Sequence, residues 1–173
     1  MTNGARHILL VEDEPDDEEL TIRGFKRINL NNPVDVARDG QEALDYLFSS
    51  PEHAPRPLPV VVLLDLKLPR IGGLEVLKRI RAEEHTHRLP VVILTSSSEE
   101  NDIIDGYDSG ANSYVRKPIQ WDEFATAIAQ LGLYWLMINT PAPPAEYTSS
   151  TTRLDDTEED IGDREPRPTQ RDS

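Results

Sequence analysis

The chain contains no cysteine in its 173 residues. That excludes a disulfide frame and any thiolate metal site. It also lacks long apolar runs. A membrane-spanning helix needs roughly 20 consecutive apolar residues, and the unbroken aliphatic stretch at 60–64 stops at an aspartate. The first fifteen residues, MTNGARHILLVEDEP, hold four consecutive aliphatics and then acids, too little for a signal-peptide core. Basic residues are scarce: 18 Lys and Arg stand against 32 Asp and Glu, a net charge of −14. Nucleic acid is a poor partner for such a chain, because phosphate backbones bind clustered Lys and Arg. Residues 140–173 hold nine acids and four bases, so −9 of the charge lies on 1–139. These shortages predict a soluble cytoplasmic protein with no membrane or nucleic-acid partner.

What is present is an alternation. Apolar strand-like runs occur at 7–13, 34–38, 60–65, 89–96 and 112–118. Between and after them, helical patterns occupy 15–29, 40–50, 73–84, 99–110 and 121–138. Pro15 followed by acids marks a helix start. Leu74, Leu77 and Ile80 share one side of the third helix. Three strands are continuous aliphatic runs, which suits a parallel sheet covered on both faces. The pattern predicts an α/β, doubly wound five-stranded sheet, of flavodoxin-like order 2-1-3-4-5, with helices on both faces. From residue 140 the chain turns acidic, with five prolines and few aliphatics. It cannot bury enough apolar surface to offset its ordering entropy. The expected organisation is a domain over 1–139 and a disordered tail over 140–173.

The strand ends carry the chemistry. The first strand ends in Glu12 and Asp13, the third in Asp65, the fourth in Thr95, the fifth in Lys117. A parallel sheet brings these ends to one edge. Three carboxylates together repel, and a hard divalent cation such as Mg²⁺ accepts a few carboxylates plus waters. A lysine neutralises further charge, and a hydroxyl can bond an incoming anionic oxygen. Those parts describe phosphoryl transfer onto a carboxylate. His85 and His87, two residues apart with no Cys partner, read as solvent-exposed loop residues.

The motifs VED at 11–13, LLDLKLP at 63–69, LTS at 94–96 and YVRKP at 114–118 resemble the receiver domain of two-component response regulators, over about residues 6–138. The resemblance implies that Asp65 is the phosphoacceptor, phosphorylated by a sensor histidine kinase. It implies a Mg²⁺ site formed by the Asp13 and Asp65 side chains, the Lys67 backbone carbonyl, and Glu12 through water. Lys117 would contact the acceptor and then the phosphoryl group, across a cis Lys117–Pro118 bond. Thr95 would move to bond a phosphoryl oxygen, with Tyr114 turning inward beside it. Gly72, where many receivers carry an acid, would loosen the third loop. The protein would not be an enzyme beyond its own phosphorylation and dephosphorylation. A Mg²⁺-dependent phosphatase is the alternative; it would need an acid two residues after Asp65, where Lys67 stands. A phosphorylation-independent binding module is the other.

Only the tail follows the receiver-like region, which predicts output through protein–protein contacts. In 131–138 every residue but Gly132 is apolar, so one side of the last helix is left over after packing. A homodimer through this helix is expected, with Leu133, Trp135, Leu136 and Met137 partly wet in the monomer and Gly132 allowing close approach. The segment from Ser113 through Asn139 also resembles the stand-alone receivers that serve bacterial phytochromes, which implies such a kinase as partner.

Overall fold

A computed structural model describes residues 6–48, 57–118 and 120–143. The tail from 144 and most of the proline-rich loop at 49–56 lie outside the described residues. Five strands, β1 (Ile8–Val11), β2 (Val34–Ala37), β3 (Val61–Leu64), β4 (Val91–Thr95) and β5 (Ser113–Arg116), alternate with five helices, α1 (Pro15–Arg27), α2 (Gly40–Leu47), α3 (Gly73–Ala82), α4 (Glu100–Asp108) and α5 (Trp121–Leu133). All strand pairs are parallel, in the order β2-β1-β3-β4-β5. The predicted order is the observed one.

The three aliphatic runs are the three central strands, and every residue in them is buried. β2 and β5, with mixed sequences, are the half-buried edges. The two-residue period of a strand splits the core into two layers. Leu9, Val11, Val62, Leu64, Val91 and Ile93 face α2 and α3. Ile8, Leu10, Val61, Leu63, Val92 and Leu94 face Phe25 of α1 and Phe124 and Ile128 of α5. Each large side chain so buried contributes about 1.5–3 kcal/mol. Helix α4 is different: it buries only Gly106 and leaves Ile104 and Tyr107 exposed.

The last helix departs from expectation. α5 ends at Leu133 and passes into a π-helical turn over Tyr134–Ile138, closed by the Asn139 N–H on the Tyr134 carbonyl at 2.7 Å. Trp135 and Leu136, expected to be wet, are buried in the α1 layer. Leu133, Tyr134, Met137 and Ile138 stay exposed, the last two at 68% and 70%. Gly132 does permit close approach, but within the chain. A Cβ there would lie 2.5 Å from Leu30 and 2.9 Å from Phe25. The cause is the tight crossing of α1 and α5, which Gly24 also serves.

A Cβ on Gly24 would meet Ile128 Cγ2 at 2.7 Å and Cβ at 2.9 Å. Overpacking of this kind costs about 1–3 kcal/mol, and a β-branched residue gains little helix propensity over glycine to offset it. Gly24→Val should therefore lower the unfolding free energy by that amount, read as a lower urea midpoint at an unchanged m-value. A midpoint equal to the parent protein's would show that the two helices can part without cost.

Candidate functional site

Sheet register builds the site. Val11 pairs with Leu64 and with Ala37, so Glu12 and Asp65 leave neighbouring strands at the same level. The Asp65 N–H donates to the Val11 carbonyl at 3.0 Å, and the Glu12 N–H to the Ala37 carbonyl at 3.0 Å. At the far strand the Lys117 N–H donates to the Thr95 carbonyl at 2.8 Å. From there the Lys117 side chain crosses back over β4 to the acids. Its Nζ donates to Asp65 Oδ2 at 2.9 Å, to Asp17 Oδ2 at 2.8 Å and to Glu12 Oε2. Lys117 and its partners Glu12 and Asp65 have side chains only 6%, 1% and 7% exposed. A buried charge is tolerated only when paired and hydrogen-bonded, and these groups meet that condition together.

The electrostatics follow from burial. Burial pushes the Glu12 carboxyl up to about 7, against the pull of Lys117. Burial would lower Lys117, but its hydrogen bonds to Asp17 and Glu12 and the charge of Asp65 hold it above the ordinary lysine value. It is an ammonium at any physiological pH. Glu12, Asp13 and Asp65 each offer a carboxylate oxygen, and these oxygens lie within 4.8 Å of one another. The donor set is all oxygen, which fits a hard divalent cation. Glu12, Asp13, Asp17 and Asp65 face a single ammonium, so the cluster is short of positive charge.

The loop after β3 is tied rather than loose. The Lys67 N–H donates to Asp65 Oδ1 at 3.1 Å and the Gly73 N–H to the Leu66 carbonyl at 3.0 Å. A Cβ on Gly73 would sit 2.1 Å from the Asp65 carbonyl oxygen. Glycine is required at 73 for the chain to return to the strand end. Gly72 has ordinary surroundings and φ −67°, so the expected loosening is not seen.

Thr95 is fully buried, and its Oγ1 accepts the Ser97 N–H at 3.4 Å. It is held by its own loop, not by Asp65. Ser97 Oγ donates to Asp102, and the Tyr114 hydroxyl donates to the Ser97 carbonyl at 3.3 Å. Burial, then the charge of Asp102, pushes the Tyr114 hydroxyl above its usual pKa. Its ring lies where a side chain on Gly106 would otherwise reach, 3.3 Å from the ideal Cβ position. The Lys117–Pro118 bond, expected cis, is trans, and no cis bond occurs among the described residues. Trans is the lower isomer by about 0.5–1 kcal/mol before proline, and from it Lys117 already reaches Asp65.

Asp17 is legible in the sequence only as a helix-start acid; the first turn of α1, lying over the carboxyl edge of the sheet, is what places it at Lys117. Ser97 and Asp102 carried no motif at all. The two loop histidines bond separate backbone carbonyls, of Leu47 and Glu84. A groove of about 740 Å³ lies at the opposite, amino end of the strands between Arg88, Asn112, Gln130 and Tyr134. It contains none of these carboxylates.

Removing the ammonium strands Glu12 beside Asp65. In Lys117→Met the Glu12 carboxyl would rise further, so its charge is neutralised in the folded protein at low pH and uncompensated at high pH. The unfolded chain ionises first, near 4.5, so stability is lost as pH climbs from there through the folded pKa. Metal-free Lys117→Met should lose about 3 kcal/mol at pH 8 and clearly less at pH 5.5, by urea unfolding. Equal losses at both pH values would contradict this account of the cluster.

Known proteins resemble this chain in sequence and fold. The response regulator receiver domain family matches residues 8–129. The probable methanogenesis regulatory protein FilR2 of Methanothrix harundinacea (strain 6Ac) is 39% identical over 138 residues, 80% of this chain and 88% of FilR2. The response regulator Rcp1 of Synechocystis sp. is 33% identical over 135 residues, 78% of this chain and 92% of Rcp1. The crystal structure of the Mn²⁺-bound form of Rcp1 matches with a TM-score of 0.74 at 33% identity, over 80% of this chain and 99% of that one. The phosphorylated cyanobacterial phytochrome response regulator RcpA gives 0.75 at 33% identity over the same shares. The bacteriophytochrome response regulator AtBRR is 48% identical over 78% of this chain and 98% of its own, with a TM-score of 0.61. With a parallel 2-1-3-4-5 sheet, acids and a lysine at its carboxyl edge and a match over most of its length, the chain belongs to the response regulator receiver domain family.

Proposed function

We propose that this chain is a stand-alone response regulator of the cytoplasm, phosphorylated on Asp65 by a sensor histidine kinase. The receiver occupies 1–139 and the acidic tail 140–173. The observation that carries the reading is the Asp65 carboxylate, held by Lys117 and facing Glu12 and Asp13 at the carboxyl edge of the sheet. In the transfer, an Asp65 oxygen bonds phosphorus as the P–N bond of the phosphohistidine breaks. The electron pair leaves with the imidazole nitrogen, which takes up a proton. Lys117 remains an ammonium throughout and offers an N–H to the phosphoryl oxygens. The metal we assign is Mg²⁺, held by Asp13, Asp65 and the Lys67 carbonyl, with Glu12 acting through water. Its contribution is to offset the negative charge of the phosphoryl group. Support for these two features comes from relatives described as Mn²⁺-bound and as phosphorylated.

Thr95 is the switching hydroxyl in this reading. Its loop is tethered through Ser97 to Tyr114, so a displacement of Thr95 toward the phosphoryl group loosens the hold on Tyr114. Helix α4, which buries little, is the element free to respond. Output passes through protein contacts, and the upstream partner we favour is a bacterial phytochrome, because two similar structures are phytochrome response regulators. The exposed Leu133, Tyr134, Met137 and Ile138 support a homodimer through the C-terminal helix.

Acetyl phosphate and Mg²⁺ should add one phosphoryl group to the protein by intact mass, and none to Asp65→Asn. Turnover of the donor without a covalent adduct would indicate a phosphatase, and no change at all a binding module. For the dimer, light scattering should give two chains for the parent protein and one for Met137→Glu, with the fold intact. A parent protein that is monomeric at high concentration, phosphorylated or not, removes the dimer from the reading.

A further inference from the structure

Asp17 has no role in the reading above, yet it makes a 2.8 Å bond to the central lysine. We propose that Asp17 is a positioning residue: it takes the third N–H of Lys117 and fixes the ammonium against Asp65. The inference rests on Asp65 being the phosphoacceptor. A lysine ammonium has three donors and no acceptor. Glu12, Asp65 and Asp17 use all three. Two of these partners form the buried wall of the site; Asp17, 33% exposed, closes the side facing solvent. Without it, one N–H of Lys117 turns to water, and a flexible four-carbon stem has an outward rotamer to occupy.

The placement is rigid. Asp17 sits in the first turn of α1, whose Thr21 hydroxyl donates to the Asp17 carbonyl at 2.8 Å and is itself fully buried. Asp16 and Glu18 share that turn and serve the helix dipole equally well. Of the three, Asp17 alone bonds Lys117 among the described contacts. The partner count also holds after transfer. Once Asp65 is an acyl phosphate its carboxyl oxygen is a poorer acceptor, and a phosphoryl oxygen takes its place. Glu12 and Asp17 then keep the other two donors, so the lysine need not rebuild its surroundings during the reaction.

The test uses the full chain with acetyl phosphate at saturating Mg²⁺. Asp17→Asn should gain the phosphoryl group about tenfold more slowly, the factor expected when a neutral amide oxygen replaces the carboxylate as acceptor. Asp16→Asn, with the same charge change in the same turn, should match the parent rate. In a Lys117→Gln background, Asp17→Asn should add no further loss. Mg²⁺ affinity by calorimetry should be the same in Asp17→Asn as in the parent. The Lys117 Nζ resonance, read by ¹⁵N NMR without any phosphodonor, should shift in Asp17→Asn and stay in place in Asp16→Asn. An Asp17→Asn rate equal to or above the parent's, or a full loss persisting in the Lys117→Gln background, overturns the proposal. A parent protein that takes no phosphoryl group overturns the phosphoacceptor reading instead, and the NMR comparison then still decides the contact between Asp17 and Lys117.

Discussion

One buried ammonium organises this end of the molecule. Lys117 is the cation that lets Glu12 and Asp65 sit beside each other away from water. Carboxylates packed that closely at a low-dielectric strand end are costly unless paired. The lysine comes from the far edge strand, so its contact also ties β5 across β4 to the centre of the sheet. Charge pairing and sheet assembly are thus one constraint. Glu12, Asp13, Asp17 and Asp65 outnumber the single ammonium, and that surplus of acid over base is what makes the cluster receptive to a divalent cation.

The rest of the fold separates into rigid and loose parts in a way that suits signalling. The central strands are buried in both core layers, and α1 and α5 interlock through Gly24 and Gly132 with no room for a side chain. Opposite them, α4 buries a single glycine. Its connection to the site runs through Ser97, which bonds Thr95, Asp102 and Tyr114 at once. A chemical change at Asp65 is therefore surrounded by elements of unequal stiffness. The loop after β3 and helix α1 hold their positions, whereas the loop after β4 is held by a few side-chain hydrogen bonds. Local opening draws on the least-packed elements.

The C-terminal helix shows how composition misleads about exposure. Residues 131–138 are apolar all round, and a regular helix would present one side to water. The π-helical turn instead places Trp135 and Leu136 in the α1 layer, and leaves Met137 and Ile138 outside. A charge at position 136 would strike the core, whereas one at 137 meets only the surface. The glycine pair at 72–73 is a similar case. Neighbouring glycines look like slack, but the 2.1 Å approach to the Asp65 carbonyl makes Gly73 a steric requirement.

The sequence by itself determined the sheet and the charged residues at its carboxyl edge. Continuous aliphatic runs at 8–11, 61–64 and 91–94, bounded by polar residues, suit strands covered on both faces, and a parallel sheet brings Glu12, Asp13, Asp65 and Lys117 to one side whatever lies between them. The strand ends were legible because burial of a strand is a local property of its residues. Tertiary structure alone decided who shares the lysine. Asp17 reaches Lys117 because α1 leaves β1 at one angle and packs on α5 at another, and no spacing rule records the distance between residues a hundred positions apart. The same holds for the isomer of the Lys117–Pro118 bond and for which apolar residues of the last helix are buried. Each depends on the balance of contacts from several elements at once, which appears only when the chain has closed on itself.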